Sequence, residues 1–275
     1  MLGAIAGDII GSIYENFRTN RKDFRLFTPF SFFTDDTVLT VAVADALMGQ
    51  KEFGQTIKAY AWRRPLRGYG PKFYGWMLSA GCKPYNSLGN GSAMRVSPVA
   101  YAGTSKGEVL QLAARSAQCT HNHPEGVKGA QAAALCVYMA RTGSTKDAIR
   151  QAMIGCFGYD LSRGIDDIRP TYWMNLTCEG SVPEAIIAFL DSRDFEDAIR
   201  NAVSLGGDAG TQAAIAGSIA EAFYGGVPLE IANRVWRKLP ASYQQVILGF
   251  HRRYQTPTNV EQIAGPNGLP PVGQL

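Results

Sequence analysis

At 275 residues, with 46% apolar and 18% charged side chains, the chain has the length and balance of a compact folded protein, which excludes a disordered one. Its net charge of +4 permits an anionic ligand but falls well short of the basic stripe of a dedicated nucleic-acid binder. Five scattered cysteines without a CxxC pair, no basic-flanked leader, and no apolar run near the roughly 18 residues that span a bilayer point to a soluble, cytoplasmic protein with reduced thiols.

The first expected helix runs from Gly3 to about Phe17, with Gly3, Ala4, Ala6, Gly7, Gly11 and Ser12 interleaved with isoleucines, so other backbones can approach it closely. Glu15 falls near its end, where a solvated helix terminus is the plain reading. A loop rich in Arg, Lys and Phe, residues 16 to 32, leads to Thr34-Asp35-Asp36-Thr37, which opens an apolar helix over Val38–Met48. Helical patterns follow over Phe53–Trp62, Lys72–Ala80, Gly107–Cys119, Val127–Arg141, Thr145–Phe157, Pro183–Leu190, Phe195–Leu205, Thr211–Tyr224, Pro228–Lys238 and Ser242–Tyr254, with Ser181 and Asp194 as expected starts. No sustained period-two alternation or hairpin dipeptide occurs, and no repeat or linker divides the chain. The expectation is an all-α single domain of a dozen or so helices over 1–254 and an irregular tail over 255–275, where Pro257, Pro266, Pro270 and Pro271 fall.

Two segments concentrate oxygen donors at helix starts, Thr34 to Thr37 and Gly206-Gly207-Asp208-Ala209-Gly210-Thr211. Each alone reads equally well as an N-cap, because Thr and Asp cap helices and acids offset the helix dipole. Together they can converge on one site, where facing carboxylates repel unless a cation lies between them. Carboxylates and hydroxyls without thiolate or imidazole favour Mg²⁺ or Mn²⁺ over zinc or copper, and leave Ca²⁺ open by ligand type. The turn Gly89-Asn90-Gly91-Ser92-Ala93-Met94-Arg95 is either a backbone cradle for an anion or a flexible turn capped by Ser92. In Thr120-His121-Asn122-His123-Pro124, the histidines can meet a ligand or cap the helix at Pro124; nothing nearby completes a zinc site. The clusters Arg63, Arg64, Arg67 and Arg252, Arg253 read as solvated faces.

The opening Gly3-Ala4-Ile5-Ala6-Gly7-Asp8 through Glu15, Thr34-Asp35-Asp36-Thr37, the Gly89–Arg95 turn, Thr120-His121, and Gly207-Asp208 through Gly225 resemble, in order, the motifs of the ADP-ribosylglycohydrolase family over roughly residues 1–226. The resemblance implies an orthogonal all-α bundle with two Mg²⁺ or Mn²⁺ ions at the base of an ADP-ribose cleft. It implies Thr34, Asp35, Asp36, Asp208 and Thr211 as metal ligands. It also implies Glu15, Gly89, Asn90, Gly91, Ser92, Met94 and His121 as substrate-binding residues, with Glu15 and Asp35 as acid–base candidates.

The implied activity is metal-dependent hydrolysis that removes ADP-ribose from a modified acceptor: an arginine or serine side chain, or another ADP-ribosylated compound. The implied partners are ADP-ribose and its conjugates, with no membrane, and nucleic acid only as a modified substrate. One position departs from the family pattern: Gly210 stands where relatives carry an acid that contacts the metals. The alternative is therefore an ADP-ribose-binding or structural relative with impaired catalysis. A further possibility is that Gly210 serves a backbone conformation with positive φ.

Overall fold

All regular structure among residues 1–265, which the computed structural model describes, is helical. The helices are α1 (Leu2–Gly11), α2 (Asp35–Gly49), α3 (Phe53–Arg63), α4 (Pro71–Leu78), α5 (Val99–Ala102), α6 (Lys106–Gln118), α7 (Pro124–Arg141), α8 (Lys146–Phe157), α9 (Ile165–Ile168), α10 (Cys178–Leu190), α11 (Phe195–Ser204), α12 (Ala209–Phe223), α13 (Leu229–Arg237), α14 (Ala241–Tyr254) and α15 (Val260–Ala264), with a single 3₁₀ turn at Asn90–Ser92. The all-α expectation holds; the extended pairing in this region is one isolated antiparallel bridge, Gly89 to Thr177.

Helix α12 packs against α1, α2, α7, α10 and α11, and its contact with α1 is the most intimate in the molecule. The reason is in the sequence. Gly3, Gly7 and Gly11 fall on one face of α1 at four-residue spacing and meet Gly217, Ala213 and Ala209 of α12, so the two helices run antiparallel in backbone contact. A Cβ on Gly7 would overlap the Ala213 carbonyl, and one on Gly11 the carbonyl of Ala209. The isoleucines between the glycines, Ile5, Ile9 and Ile10, are fully buried. Antiparallel pairing sets the C-terminal end of α1 beside the N-terminal end of α12. At the other end of the pair, the buried Glu221 carboxylate accepts from Gly3 N–H (2.9 Å) and from Thr258 Oγ1 (2.6 Å), tying the segment after α14 to the same core.

Several expected boundaries shift for physical reasons. Helix α1 ends at Gly11 rather than near Phe17, which places Glu15 in the turn that follows. Helix α10 starts at Cys178 behind a Thr177 cap, and Pro183 lies inside it. Ser181 is therefore not a start; its hydroxyl donates to Thr177 O at 2.6 Å. Part of the stretch expected to be irregular forms α15, which packs on α13 and α14; Pro266, Pro270 and Pro271 lie outside the described residues. Helices α5, α9 and α15 have four or five residues, too few for a hydrophobic period to register. No helix is long and apolar enough to cross a membrane among the described residues. The five cysteines are free thiols.

Candidate functional site

The beginning of α2 is built against α1. Asp8, fully buried on α1, accepts four hydrogen bonds from the chain entering α2: Thr34 N–H (2.9 Å), Thr34 Oγ1 (2.6 Å), Thr37 N–H (3.1 Å) and Thr37 Oγ1. Thr34 also caps the helix, accepting from Asp36 N–H at 3.3 Å. Asp36 is thereby turned into the protein. Its Oδ2 lies 3.3 Å from Thr34 Oγ1 and 3.4 Å from Thr211 Oγ1, while its buried Oδ1 has no hydrogen-bond partner.

The second start meets the first at that Thr211–Asp36 contact. Asp208 caps α12 by accepting from Thr211 N–H at 3.4 Å, and its other oxygen accepts from Asn90 Nδ2 at 2.8 Å. This last bond joins the glycine turn to the acids. The turn is itself anchored to the start of α10: Asn90 N–H donates to Leu176 O and Cys178 N–H to Leu88 O, while Ser92 Oγ donates to Gly126 O. The Ser92 hydroxyl is thus spent on the fold. Met94, also buried, touches Thr211 Oγ1 through Sδ at 3.8 Å.

Glu15 and Asp35 stand at the same place with some solvent contact. Asp35 donates its N–H to Arg67 O (2.7 Å), and Gly68, in the left-handed region at φ +92, lies against its carboxylate. Glu15 reaches across from the turn after α1: a Cβ on Gly210 would collide with Glu15 Oε1 and come within 3.9 Å of Asp8 Oδ1. Gly210 is helical and has no positive φ, so the alternative of a positive-φ backbone role for this glycine is overturned. The space that a side chain at 210 would take is held by the Glu15 carboxylate.

The electrostatics follow from crowding. Desolvation, then Asp208, Asp8 and Asp35, push Glu15 up to about 8. Desolvation, then Asp8 and Asp208, bring Asp35 to about 8 as well. Asp36 is raised well above the carboxylate range by burial and by four neighbouring acids. Burial also raises Asp8 and Asp208, against the hydrogen bonds they accept. Without a cation, the cluster holds protons that free carboxylates would release at neutral pH.

These residues fit a hard divalent cation. The donors are carboxylate and hydroxyl oxygens, no cationic side chain is ion-paired with them among the described residues, and Asp36 Oδ1 is an acceptor stranded without a donor. Among the described residues no group of three or more acid, histidine or cysteine side chains is arranged to hold a metal ion by itself. The surface hollow lined by Phe24, Phe27, Arg200 and Arg234 contains none of these acids.

The two histidines separate. His123 caps α7 through Nδ1, which accepts from Glu125 N–H at 3.2 Å. His121 is 5% exposed and turned inward, where a Cβ on Gly91 would come within 3.2 Å of its Nε2, and one on Gly89 within 3.6 Å. Side chains at either glycine would therefore close the space in front of the imidazole. Asp8, Thr37 and Arg95 were absent from the expected site. The available signal for Asp8 was an acid embedded between Gly7 and Ile9 in an otherwise apolar helix.

A sequence model of ADP-ribosylglycohydrolase matches residues 1–256. Among curated proteins, the ADP-ribosylhydrolase ARH3 of Mus musculus is 26% identical over 91% of this chain and 86% of its own length, and that of Homo sapiens is 25% identical over 93% and 92%. The ADP-ribosylarginine hydrolase Tri1 of Pseudomonas putida (strain GB-1) is 28% identical over 86% of this chain and 72% of its own. A solved structure described as an ADP-ribosylglycohydrolase-related protein complex superposes with a TM-score of 0.70 at 25% identity, covering 91% of this chain and 95% of that one.

Proposed function

Because the chain belongs to the ADP-ribosylglycohydrolase family, we propose that it is a divalent-metal-dependent hydrolase that releases ADP-ribose from a modified acceptor, with its centre at the paired starts of α2 and α12. The observation that supports this reading best is the bond from Asn90 to Asp208, which joins the glycine turn to the acid cluster. Thr34, Asp36, Asp208 and Thr211 would hold Mg²⁺ or Mn²⁺, with Asp35 beside them. A cation held there supplies Lewis-acid polarisation and a template for ribose hydroxyls.

The remaining chemistry falls to the chain's own groups. Hydrolysis adds water across the bond between the ribose carbon and the acceptor: the carbon takes hydroxide and the acceptor leaves with a proton. Glu15 and Asp35 keep some solvent contact, so they would take the proton from water and deliver one to the leaving group. Asp36 and Asp208 are too deeply held for that exchange. The Gly89–Gly91 turn, with His121 behind it, would receive the diphosphate, and Met94 would pack beside it. The acceptor classes are the serine, arginine or other conjugates that relatives' names describe, and a soluble cytoplasmic protein is the proposed setting.

The alternative of an impaired, binding-only relative rested on Gly210. The Glu15 carboxylate in the space of the missing side chain supports an active centre instead. The test is thermal unfolding with ADP-ribose, AMP or no ligand in Mg²⁺, paired with release of ADP-ribose from serine- and arginine-modified peptides. We expect stabilisation by ADP-ribose and turnover of at least one peptide that chelator abolishes. No shift at millimolar ADP-ribose and no release would refute the reading.

A further inference from the structure

Arg95 ends the glycine turn and is wholly buried, yet no carboxylate lies within ion-pair distance of it among the described residues. Its Nη2 donates to Ser116 O at 3.1 Å and to Thr120 Oγ1 at 2.7 Å; Nε and Nη1 have no partner. A buried guanidinium without a counter-charge costs stability; beside a long contact from Nη2 to Cys119 Sγ at 3.8 Å, its short bond to Thr120 invites a functional explanation.

That bond has a consequence one residue on. A guanidinium can only donate, so Thr120 Oγ1 accepts from Arg95 and has a single hydrogen of its own to give. Two acceptors are in reach: His121 Nδ1 at 2.7 Å and Ala117 O at 3.5 Å. The second lone pair of Oγ1 could instead accept from Nδ1–H, but that would leave the hydroxyl hydrogen only the 3.5 Å contact to Ala117 O, so donation to Nδ1 is the better-satisfied arrangement. His121 Nδ1 is then an acceptor, and in a neutral ring the hydrogen must sit on Nε2, the nitrogen that faces Gly89 and Gly91.

We propose that Arg95, acting through Thr120, is a positioning residue that fixes His121 as the Nε2–H tautomer and so presents a neutral hydrogen-bond donor, never an acceptor, to an anionic group over the Gly89–Gly91 turn. The use of that donor rests on the proposed function, in which the anion is the diphosphate of ADP-ribose. Burial first, and then the charge of Arg95, hold the imidazole well below its ordinary value, which keeps the ring neutral. Glycine at 89 and 91 fits the same purpose, since a side chain would fill the space where donor and anion meet.

The test reads the ring directly. In ¹⁵N-labelled full-length protein without ligand, long-range ¹H–¹⁵N NMR at neutral pH distinguishes a protonated from an unprotonated ring nitrogen, with His121→Gln assigning the signal. We expect Nε2 protonated in the wild type, a mixed or reversed tautomer in Thr120→Val, and the wild-type pattern restored in Thr120→Ser. ADP-ribose affinity should fall about 10-fold in Thr120→Val and recover in Thr120→Ser. Thr120 carries the test because Arg95 variants risk unfolding. An Nδ1–H ring in the wild type, or an unchanged ring in Thr120→Val, overturns the relay. A changed ring with unchanged affinity overturns the positioning role. A wild type that shows the Nε2–H ring but binds no ADP-ribose overturns the use of the donor together with the proposed function, and leaves the hydrogen-bond relay standing.

Discussion

The starts of α2 and α12 use the same residue types and divide the work differently. At α2, Asp35 and Asp36 follow one another behind a threonine cap, and Asp8 braces them from α1. At α12 a single acid, Asp208, is followed by Gly210, and the second carboxylate, Glu15, comes from the turn after α1. The first start is dense in charge within one stretch of chain, whereas the second borrows it from another.

The largest effect should come from parting the two starts. In Gly7→Ala the new methyl would overlap the Ala213 carbonyl, and neither backbone can yield without separating α1 from α12. We expect a loss of about 3 kcal/mol in urea unfolding, with loss of Mn²⁺ binding in the folded remainder. Full stability in this variant would break the picture of two helices in backbone contact.

Next is the contrast between ligand and cap. Thr34, not Asp36, caps α2, so Asp36→Asn should leave the helix intact. It should lower Mn²⁺ affinity by about 100-fold in titration calorimetry, by removal of a ligand charge. The metal-free melting temperature should hold or rise, because Asn needs no proton taken up on folding, as the buried Asp36 with its raised pKa does. Equal Mn²⁺ affinity in the two forms would remove Asp36 from the centre.

The borrowed charge is tested by a cycle. Glu15→Ala should weaken Mn²⁺ binding about 10-fold, and adding Gly210→Asp in that background should recover most of the loss. Gly210→Asp alone should gain little, since its Cβ and the Glu15 carboxylate compete for one space. A rise in affinity from Gly210→Asp alone would show that Glu15 does not stand in for it.

A separate effect belongs to His121, which joins neither start. Its pKa in the folded state is depressed below the ordinary value of 6.5, so its contribution to stability is present above that pH. Below it the unfolded chain takes up a proton that the folded chain refuses, and stability falls by up to about 1.4 kcal/mol per pH unit. Wild type should therefore lose more stability than His121→Gln between pH 6.5 and 5, read from urea midpoints; parallel losses would mean that the folded ring protonates normally.

Much of this was legible in the chain. The 3.6-residue period located the long helices, the convergence of the two acidic helix starts came from residue type, and the set Thr34, Asp35, Asp36, Asp208 and Thr211 from the family resemblance. What escaped depended on tertiary contact. Pro183 read as a helix start, but the Thr177 cap and the burial of Cys178 and Val182 extend the helix through it. Asp8 looked like an incidental acid because its four donors come from residues 26 and 29 positions away. Gly210 read as a deficit, since nothing local says that Glu15 leans into its place. His121 and His123 looked alike until the chain direction set one to cap α7 and the other to face the turn.

The backbone contact between α1 and α12 also governs how the molecule is made. Gly7 and its partner Ala213 are separated by about 200 residues of chain, which at ribosomal speeds of about 5–20 residues per second is a wait of roughly 10–40 s. Throughout that interval the glycine face of α1 has no α12 backbone to pack against. The floor of the site is consequently among the last parts of the fold to close. A nascent chain stalled before α12 presents an uncovered apolar helix of the kind that chaperones hold.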